Sequence, residues 1–204
     1  MTLAATTQTD IVNAALGHLH KRAIASMTEN SPERLEASRA WTKCLKECLR
    51  SFPWPFAKVT ETLVLSDVEP PPQYEYSYAW PANAAAVWIV YNEATVNQKD
   101  GEVFEKMFDP DTNTVYIATN CDSAYAVYTY LLEDTSKYDS YFVTVMSFRL
   151  AAEMCGRLTG DDELTKDLMK TFNAMISDAK RLGSYEDKST NKDSRTSSFE
   201  DARE

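Results

Sequence analysis

The stretch that decides the fold is residues 31–57, SPERLEASRAWTKCLKECLRSFPWPFA. Ser31 is a favourable N-cap, and Pro32 suits the first helical position, where its missing N–H costs no hydrogen bond. Pro53 and Pro55 cannot continue a helix, so the sequence predicts a helix that ends near Ser51. The apolar residues between these signals form one stripe with the helical period of about 3.6 residues: Trp41, Cys44, Leu45, Cys48, Leu49 and Phe52.

Further helices are predicted on both sides of this stretch. Residues 9–20 carry an apolar face with helical spacing, which favours a first helix. From Asp139 onward apolar residues recur on more than one helical face, so we expect a largely buried helix. A last helix is expected to begin near Asp161 and to end at Gly183, because glycine often follows a helix C-terminus.

The block between these helices, residues 58–132, is rich in β-branched and aromatic residues and has no helical period. The segment DPDTN at residues 109–113 predicts a turn between two hairpin strands. Six segments have the composition of strands: KVTETLVLS, QYEYSYAWP, AVWIVYNE, EVFEKMF, NTVYIAT and SAYAVYTYLL. The block is therefore expected to form a small antiparallel β-domain of five or six strands.

We thus expect an α+β fold, with an antiparallel four-helix bundle, an inserted antiparallel β-domain and an extended C-terminal arm. The bundle is assigned to residues 1–57 and 133–183, the β-domain to residues 58–132 and the arm to residues 184–204. Ten of the 21 arm residues are charged, so the arm cannot bury enough apolar surface to offset its ordering entropy. It is expected either to stay mobile or to fold on a partner.

Composition limits the class of protein. The chain has 204 residues, with 21 basic against 31 acidic residues and a net charge of −10. Such acidity argues against a protein that coats nucleic acid, because its surface repels phosphate. No run approaches the roughly 20 apolar residues that span a bilayer, and the N-terminus lacks the basic start of a signal peptide. We expect a soluble protein, made in the cytoplasm, with no membrane partner.

Residue types that often bind metals give weak signals here. The four cysteines lack a C-x-x-C pair and are interpreted as buried thiols. His18 and His20 would lie about 200° apart on a helix, which does not suit a shared metal ion. Asp109, Asp111 and Asn113 resemble the opening of a calcium loop, but its glycine and final glutamate are missing. No metal or other cofactor is predicted.

Signals for catalysis are equally weak. The paired acids Asp161 and Asp162, and likewise Glu133 and Asp134, are expected to cap and solvate helix ends. The sequence contains no glycine-rich phosphate loop and no nucleophile with a matching base. We therefore expect that the protein is not an enzyme, although a site assembled from distant residues stays open.

The β block also contains many aromatic residues: Tyr74, Tyr76, Tyr78, Trp80, Trp88 and Tyr91. Such a set could stack the bases of a single-stranded nucleic acid, but that role needs basic neighbours. Residues 74–91 contain none. Core packing and protein contacts are favoured instead, with an exposed subset left for neighbouring subunits.

Together these segments resemble the head-to-tail connector, or adaptor, proteins of short-tailed bacteriophages, of the tail tubular protein A type. The resemblance covers most of residues 10–185, and its more specific parts are the helix-to-PWPFA corner and the Y-x-Y-A-W-P motif. The segments that carry it are IVNAALGHLHKRAIASM, the helix ending in FPWPFA, YSYAWPANA and FRLAAEMCGRLTGDDELTKDLMKTFNAMISDAKRLGS.

The resemblance implies a structural protein of the virion, located at the portal–tail junction and without catalytic activity. It implies a homo-oligomeric ring of twelve copies that joins the portal protein to the tail nozzle protein and extends the channel for DNA ejection. Genomic DNA would pass through this channel without specific binding, as the acidic composition favours.

The resemblance also implies that the arm, residues 184–204, binds the portal. Tyr185 and Phe199 would then be apolar anchors, and the four basic residues would pair with acidic portal groups. The expected portal-binding residues are Tyr185, Lys188, Lys192, Arg195, Phe199 and Arg203.

Three other functions stay open. Another phage neck or tail-completion protein would form an oligomer of a different size. A small hydrolase would need convergent carboxylates, for which Asp161 and Asp162 are candidates. A single-stranded nucleic-acid binder would show steeply salt-dependent binding, which the acidic composition opposes.

Overall fold

The structure, a computed structural model, describes residues 6–95 and 101–189. It is an α+β fold with four helices and two three-stranded antiparallel sheets. The helices are α1 (Gln8–His18), α2 (Pro32–Ser51), α3 (Ser140–Leu158) and α4 (Asp162–Ser189). The strands are β1 (Lys58–Thr62), β2 (Tyr76–Ala79), β3 (Ala84–Tyr91), β4 (Phe104–Asp109), β5 (Thr114–Thr119) and β6 (Tyr125–Tyr130).

Helix α2 has the bounds that its sequence predicts. At its start the Arg34 N–H lies 3.4 Å from the Ser31 hydroxyl. At its end the Trp54 indole N–H donates to the Cys48 carbonyl at 2.8 Å. The aromatic corner therefore adds a hydrogen bond to one of the last carbonyls of the helix, which also accepts the Ser51 hydroxyl at 2.7 Å.

The chain separates into two compact units. The β unit comprises residues 1–7 and 45–139, and the helical unit comprises residues 8–44 and 140–204. The division falls inside α2, so the predicted four-helix bundle with an inserted β-domain is wrong: the helices form a bundle only in part. An apolar stripe shows which side of a helix is buried, but not what buries it. The predicted domain boundaries, residues 1–57 with 133–183, 58–132 and 184–204, stay a prediction.

In the helical unit, α3 packs against both α1 and α4. Lys43 of α2 pairs with Glu153 of α3 at 2.6 Å, and Arg149 pairs with the same carboxylate at 2.9 Å. Burial would raise the pKa of Glu153, but the hydrogen bonds from Lys43 and Arg149 outweigh it and lower that pKa. The prediction that α3 is largely buried is confirmed by Phe142, Val145, Met146, Leu150 and Met154.

Helix α4 does not end at Gly183 but continues to Ser189. The predicted stop is wrong because glycine ends a helix only where it adopts a left-handed conformation, as Gly160 does after α3 with φ +70°. Inside a helix, glycine costs only about 1 kcal/mol relative to alanine. Residues 184–189, predicted to begin an extended arm, are therefore helical.

The six strands of the β unit lie in two sheets, ordered β1-β6-β3 and β2-β5-β4. All pairings are antiparallel, and the predicted hairpin turn joins β4 to β5. Residues 63–66 extend the second sheet, because Leu65 bridges to Tyr78. The core draws side chains from both sheets: Leu63, Tyr78, Val90, Ile117, Cys121, Ala124, Ala126 and Tyr128.

Candidate functional site

The acids that the sequence offers as catalytic candidates make structural hydrogen bonds. The Asp161 carboxylate accepts the Leu164 N–H at 2.9 Å at the start of α4. The Asp134 carboxylate accepts the Ser136 N–H at 3.0 Å and the Ser136 hydroxyl at 2.6 Å. The bond from the Ser136 hydroxyl lowers the pKa of Asp134 below its usual range. The prediction that these acids cap helix ends is confirmed for both carboxylates.

The calcium-like segment forms the β4–β5 turn. The Asp109 carboxylate accepts the Thr112 hydroxyl, and it accepts the Thr112 N–H at 3.0 Å. The hydrogen bond from the Thr112 hydroxyl lowers the pKa of Asp109. Asn113 takes the left-handed conformation, with φ 54°, that the turn requires. Asp109 and Asn113 therefore stabilise the hairpin turn, which accounts for the calcium-like pattern of the segment.

The two histidines occupy different environments. His18 stacks on Phe148 with ring centroids 4.0 Å apart, and its Nε2 lies 3.1 Å from the Ser147 hydroxyl. Burial lowers the pKa of His18. Because Ser147 donates to the Thr144 carbonyl at 2.7 Å, the His18 Nε2–H donates to Ser147. This is the reverse of a serine nucleophile activated by a histidine base. His20 lies beyond α1 and is exposed.

The predicted buried thiols are confirmed. All four cysteines are buried: Cys44, Cys48, Cys121 and Cys155. Burial raises the pKa of the Cys121 thiol to about 11, which keeps it protonated and a poor nucleophile near neutral pH. Within residues 6–95 and 101–189, no cluster of three or more His, Cys, Asp or Glu side chains is arranged to hold a metal ion.

The aromatic residues of the β unit do not form one stacking platform. Tyr78 lies in the core, and Tyr76 and Trp80 pack against it. Trp88 instead donates its indole N–H to the Thr129 hydroxyl at 2.7 Å, and Tyr91 stacks on Tyr125, outside that core. Tyr78 is buried, and the other five aromatic residues of the predicted set are half-buried. Core packing is therefore confirmed for Tyr78, whereas the exposed subset expected to contact neighbouring subunits is not found among these residues.

The exposed apolar side chains are concentrated on the β unit. Four lie at the two edges of the second sheet, with exposed fractions from 58% at Phe108 to 76% at Val103. The exposed large apolar residues of the described chain are Leu35, Val64, Leu65, Val103, Phe108 and Leu182. The sequence did not predict these exposed residues. The alternation of apolar residues along a strand shows which side chains share a face of the sheet, but not whether the edge of the sheet is covered.

The net charge is divided unevenly between the units. Residues 1–7 and 45–139 contain 15 acidic and 6 basic residues, a net charge of −9. Residues 8–44 and 140–204 contain 16 acidic and 15 basic residues, a net charge of −1. Nearly all of the net −10 therefore belongs to the β unit. Counting charges along the strand-forming block would have found this signal in the sequence.

The predicted portal-binding residues lie at the end of the chain. Tyr185 and Lys188 fall within the last turns of α4. Lys192, Arg195, Phe199 and Arg203 lie outside the described residues. Their assignment as a portal-binding set therefore stays a prediction.

Comparison of the chain with protein-family models and with characterised proteins gives no match. In the described part of the chain, no helix has both the length and the apolar character needed to cross a membrane.

Proposed function

We propose that this chain is a structural head-to-tail adaptor of a bacteriophage virion. About twelve copies form a ring that joins the portal protein to the tail nozzle protein and extends the DNA channel. The observation that carries the proposal is that both units expose large apolar side chains, Leu35 and Leu182 on the helical unit and the sheet-edge set on the β unit. The protein acts by binding and shape, without chemistry or a cofactor.

A closed ring requires two different contact surfaces on each subunit, since one face must meet another face of the next copy. Exposed apolar groups supply the binding free energy of such contacts, because their burial removes them from water. The two units offer chemically distinct surfaces, one strongly acidic and one nearly neutral. These differences suit heterologous contacts between copies.

The acidic β unit supports the passage of DNA without specific binding. A net charge of −9 on this unit, repeated in each copy, repels the phosphate backbone. Binding to DNA normally requires clusters of Lys and Arg that neutralise phosphates. The β unit, with 6 basic residues against 15 acidic ones, supplies few.

The C-terminal residues are proposed to bind the portal, through Tyr185, Lys188, Lys192, Arg195, Phe199 and Arg203. A segment that orders on its partner loses conformational entropy on binding, which charge pairs and apolar anchors must offset. The continuation of α4 to Ser189 supports this role, because a helix that is already formed lowers the ordering cost of the first anchors.

Co-sedimentation with isolated portal tests the arm. A chain that ends at Ser189 keeps the whole of α4, and a second variant carries Lys192→Glu, Arg195→Glu and Arg203→Glu. The matched control carries Lys166→Glu and Lys170→Glu, two exposed basic residues of α4. We expect the full chain and the control to sediment with the portal and the two arm variants to remain in solution.

Full binding by both arm variants would refute the role of Lys192, Arg195, Phe199 and Arg203 but leave the adaptor proposal standing. Failure of the full chain to sediment with the portal would refute the adaptor proposal itself. Native mass spectrometry of the complex adds the copy number, and a number other than twelve would favour another neck or tail-completion protein.

A further inference from the structure

Strand β4 forms one edge of the second sheet, and the pairing of β5 shows which way its backbone groups point. The Trp80 N–H donates to the Val115 carbonyl at 3.4 Å, so Val115 turns its backbone groups toward β2. Because these groups alternate along a strand, Tyr116 turns toward β4, where it pairs with Met107. The β4 residues that turn their N–H and C=O groups away from β5 are therefore Phe104, Lys106 and Phe108.

Two hydrogen bonds outside the ladder support this alternation. The Glu102 N–H donates to the Val90 carbonyl at 2.7 Å, on the side away from β5. The Val103 carbonyl accepts the Thr119 hydroxyl at 2.8 Å, on the side of β5. Strand β3 bridges to this outer side at Glu102, just before β4 begins, through Val90. In the described part of the chain, no strand pairs with the outer side of β4 itself, Phe104–Asp109. This edge therefore offers backbone donors and acceptors to a partner.

The side chains at this edge are also suited to contact. Val103 is 76% exposed and Phe108 is 58% exposed. Proteins usually protect such an edge with charged side chains, especially lysine. Here the only lysine of β4, Lys106, places its Nζ 4.0 Å from the centre of the Trp80 ring. This cation–π contact directs the lysine over the sheet, so it does not shield the edge.

The charge around β4 indicates the chemistry of the partner. Residues 101–115 contain the carboxylates of Glu102, Glu105, Asp109 and Asp111 against the single cation of Lys106. A local excess of negative charge attracts a basic partner and repels an acidic one. The β unit of a second copy, with a net charge of −9, is therefore a poor match. So is the chain's own segment 184–204, which has six acidic and four basic residues.

We propose that the outer edge of β4 is a docking site for a basic, extended protein segment, which adds to the second sheet as a fourth paired strand. Its backbone pairs with Phe104, Lys106 and Phe108, and its apolar side chains contact Val103 and Phe108. Its Lys or Arg side chains lie near the carboxylates of the edge. The site goes beyond the adaptor proposal and does not depend on it.

Nuclear magnetic resonance of the ¹⁵N-labelled full chain tests the site with a defined probe. The probe is the blocked peptide TKVTKVTK, and the matched control probe has Glu in place of each Lys. We expect shifts concentrated in β4, slower exchange of the Phe104, Lys106 and Phe108 amides, and binding of the basic probe at least about tenfold tighter. Its affinity should fall as salt is added, because salt screens the charges.

Variants at Lys106 separate backbone pairing from charge. Lys106→Pro removes one outward N–H, and proline is tolerated on an edge strand where its missing donor faces solvent. Lys106→Thr is the matched control, since both variants lose the contact with Trp80. We expect the proline variant to bind the basic probe about tenfold more weakly than the threonine variant. A probe with alternate amides N-methylated tests the same bonds if the proline variant does not fold.

Three outcomes would overturn the proposal. The first is equal binding of the basic and acidic probes. The second is equal binding of the N-methylated and unmodified probes. The third is self-association of the chain that Lys106→Pro abolishes while probe binding stays unchanged, because this would assign the edge to a second copy.

Discussion

Trp54 shows how one side chain can both end a helix and fill a core. Its ring is almost completely buried, and it packs against Phe52 and Phe56 on either side. Its indole N–H reaches back to the Cys48 carbonyl. The two prolines around it prevent the helix from continuing, so the tryptophan supplies a hydrogen bond where the backbone cannot.

Two substitutions at Trp54 separate these contributions. Trp54→Phe keeps most of the apolar volume but removes the hydrogen bond, so we expect the free energy of unfolding to fall by about 1–2 kcal/mol. Trp54→Ala also leaves a cavity and should lower it by about 3–5 kcal/mol. Urea denaturation measures both values. Equal effects of the two variants would show that the hydrogen bond, not the ring, dominates.

His18 should make the stability of the protein depend on pH. Burial lowers its pKa in the folded state, so the unfolded chain binds a proton more readily. The favourable contribution is complete above the unfolded pKa of about 6.5 and is lost as the pH falls below it. We expect the loss of thermal stability between pH 7.5 and 5.5 to be smaller in His18→Gln than in the natural chain.

His20→Gln is the matched control for this pH dependence, because His20 is exposed two residues away. It should retain the pH dependence of the natural chain. Melting temperatures at the two pH values, measured for all three proteins, test the assignment. A flattened profile in the control, or an unchanged profile in His18→Gln, would contradict it.

At the scale of elements, two glycines of the α3 region have opposite roles. Gly160 has φ +70°, and its N–H and that of Thr159 donate to the Cys155 carbonyl. This is a left-handed helix ending that other residues adopt only with strain. Gly156 lies inside α3, and apart from the glycine itself, its chain neighbours and the nearby backbone of α3, no atom lies within 4 Å of the position where a Cβ would be.

Alanine substitutions should therefore change stability in opposite directions. Gly160→Ala should lower the free energy of unfolding by about 1 kcal/mol, because alanine disfavours positive φ. Gly156→Ala should raise it by up to about 1 kcal/mol, since alanine favours the helix. Chemical denaturation of the two variants provides the comparison. Stabilisation by Gly160→Ala would show that this glycine does not set the end of α3.

Many of the helices, strands and turns could be predicted from the sequence, because the signals that set them are local. The Ser31–Pro32 start, the proline stop after Ser51 and the turn at residues 109–113 each depend on the backbone preferences of a few residues. The six strands follow from β-branched and aromatic composition. Their division into two sheets could not be predicted, because pairing between distant strands leaves no local signal.

At the scale of the whole molecule, the division inside α2 was the main feature that sequence could not reveal. The same stripe carries Cys44 in the helical unit and Leu45 in the β unit. Periodicity therefore predicted the helix correctly but not how the helices are grouped. The end of α4 was also predicted wrongly. Glycine often follows a helix C-terminus, but Gly183 lies inside α4, which continues to Ser189.

The candidate surfaces were predictable only in part. The acidity of the chain is visible in its composition, and its concentration on the strand-forming block can be read from the sequence by counting the charges of residues 58–132. The open edge of β4 required the strand order and the direction of its backbone groups. The capping role of Asp161 was predictable, because an acid before a helix lies close to N–H groups without intrahelical partners.

Electron microscopy of isolated portal, with and without the protein, tests the adaptor proposal most directly. Class averages should show an added ring of density on the portal axis, with the channel open through it and a copy number of about twelve. Portal particles that remain unchanged in the presence of excess protein would contradict the account.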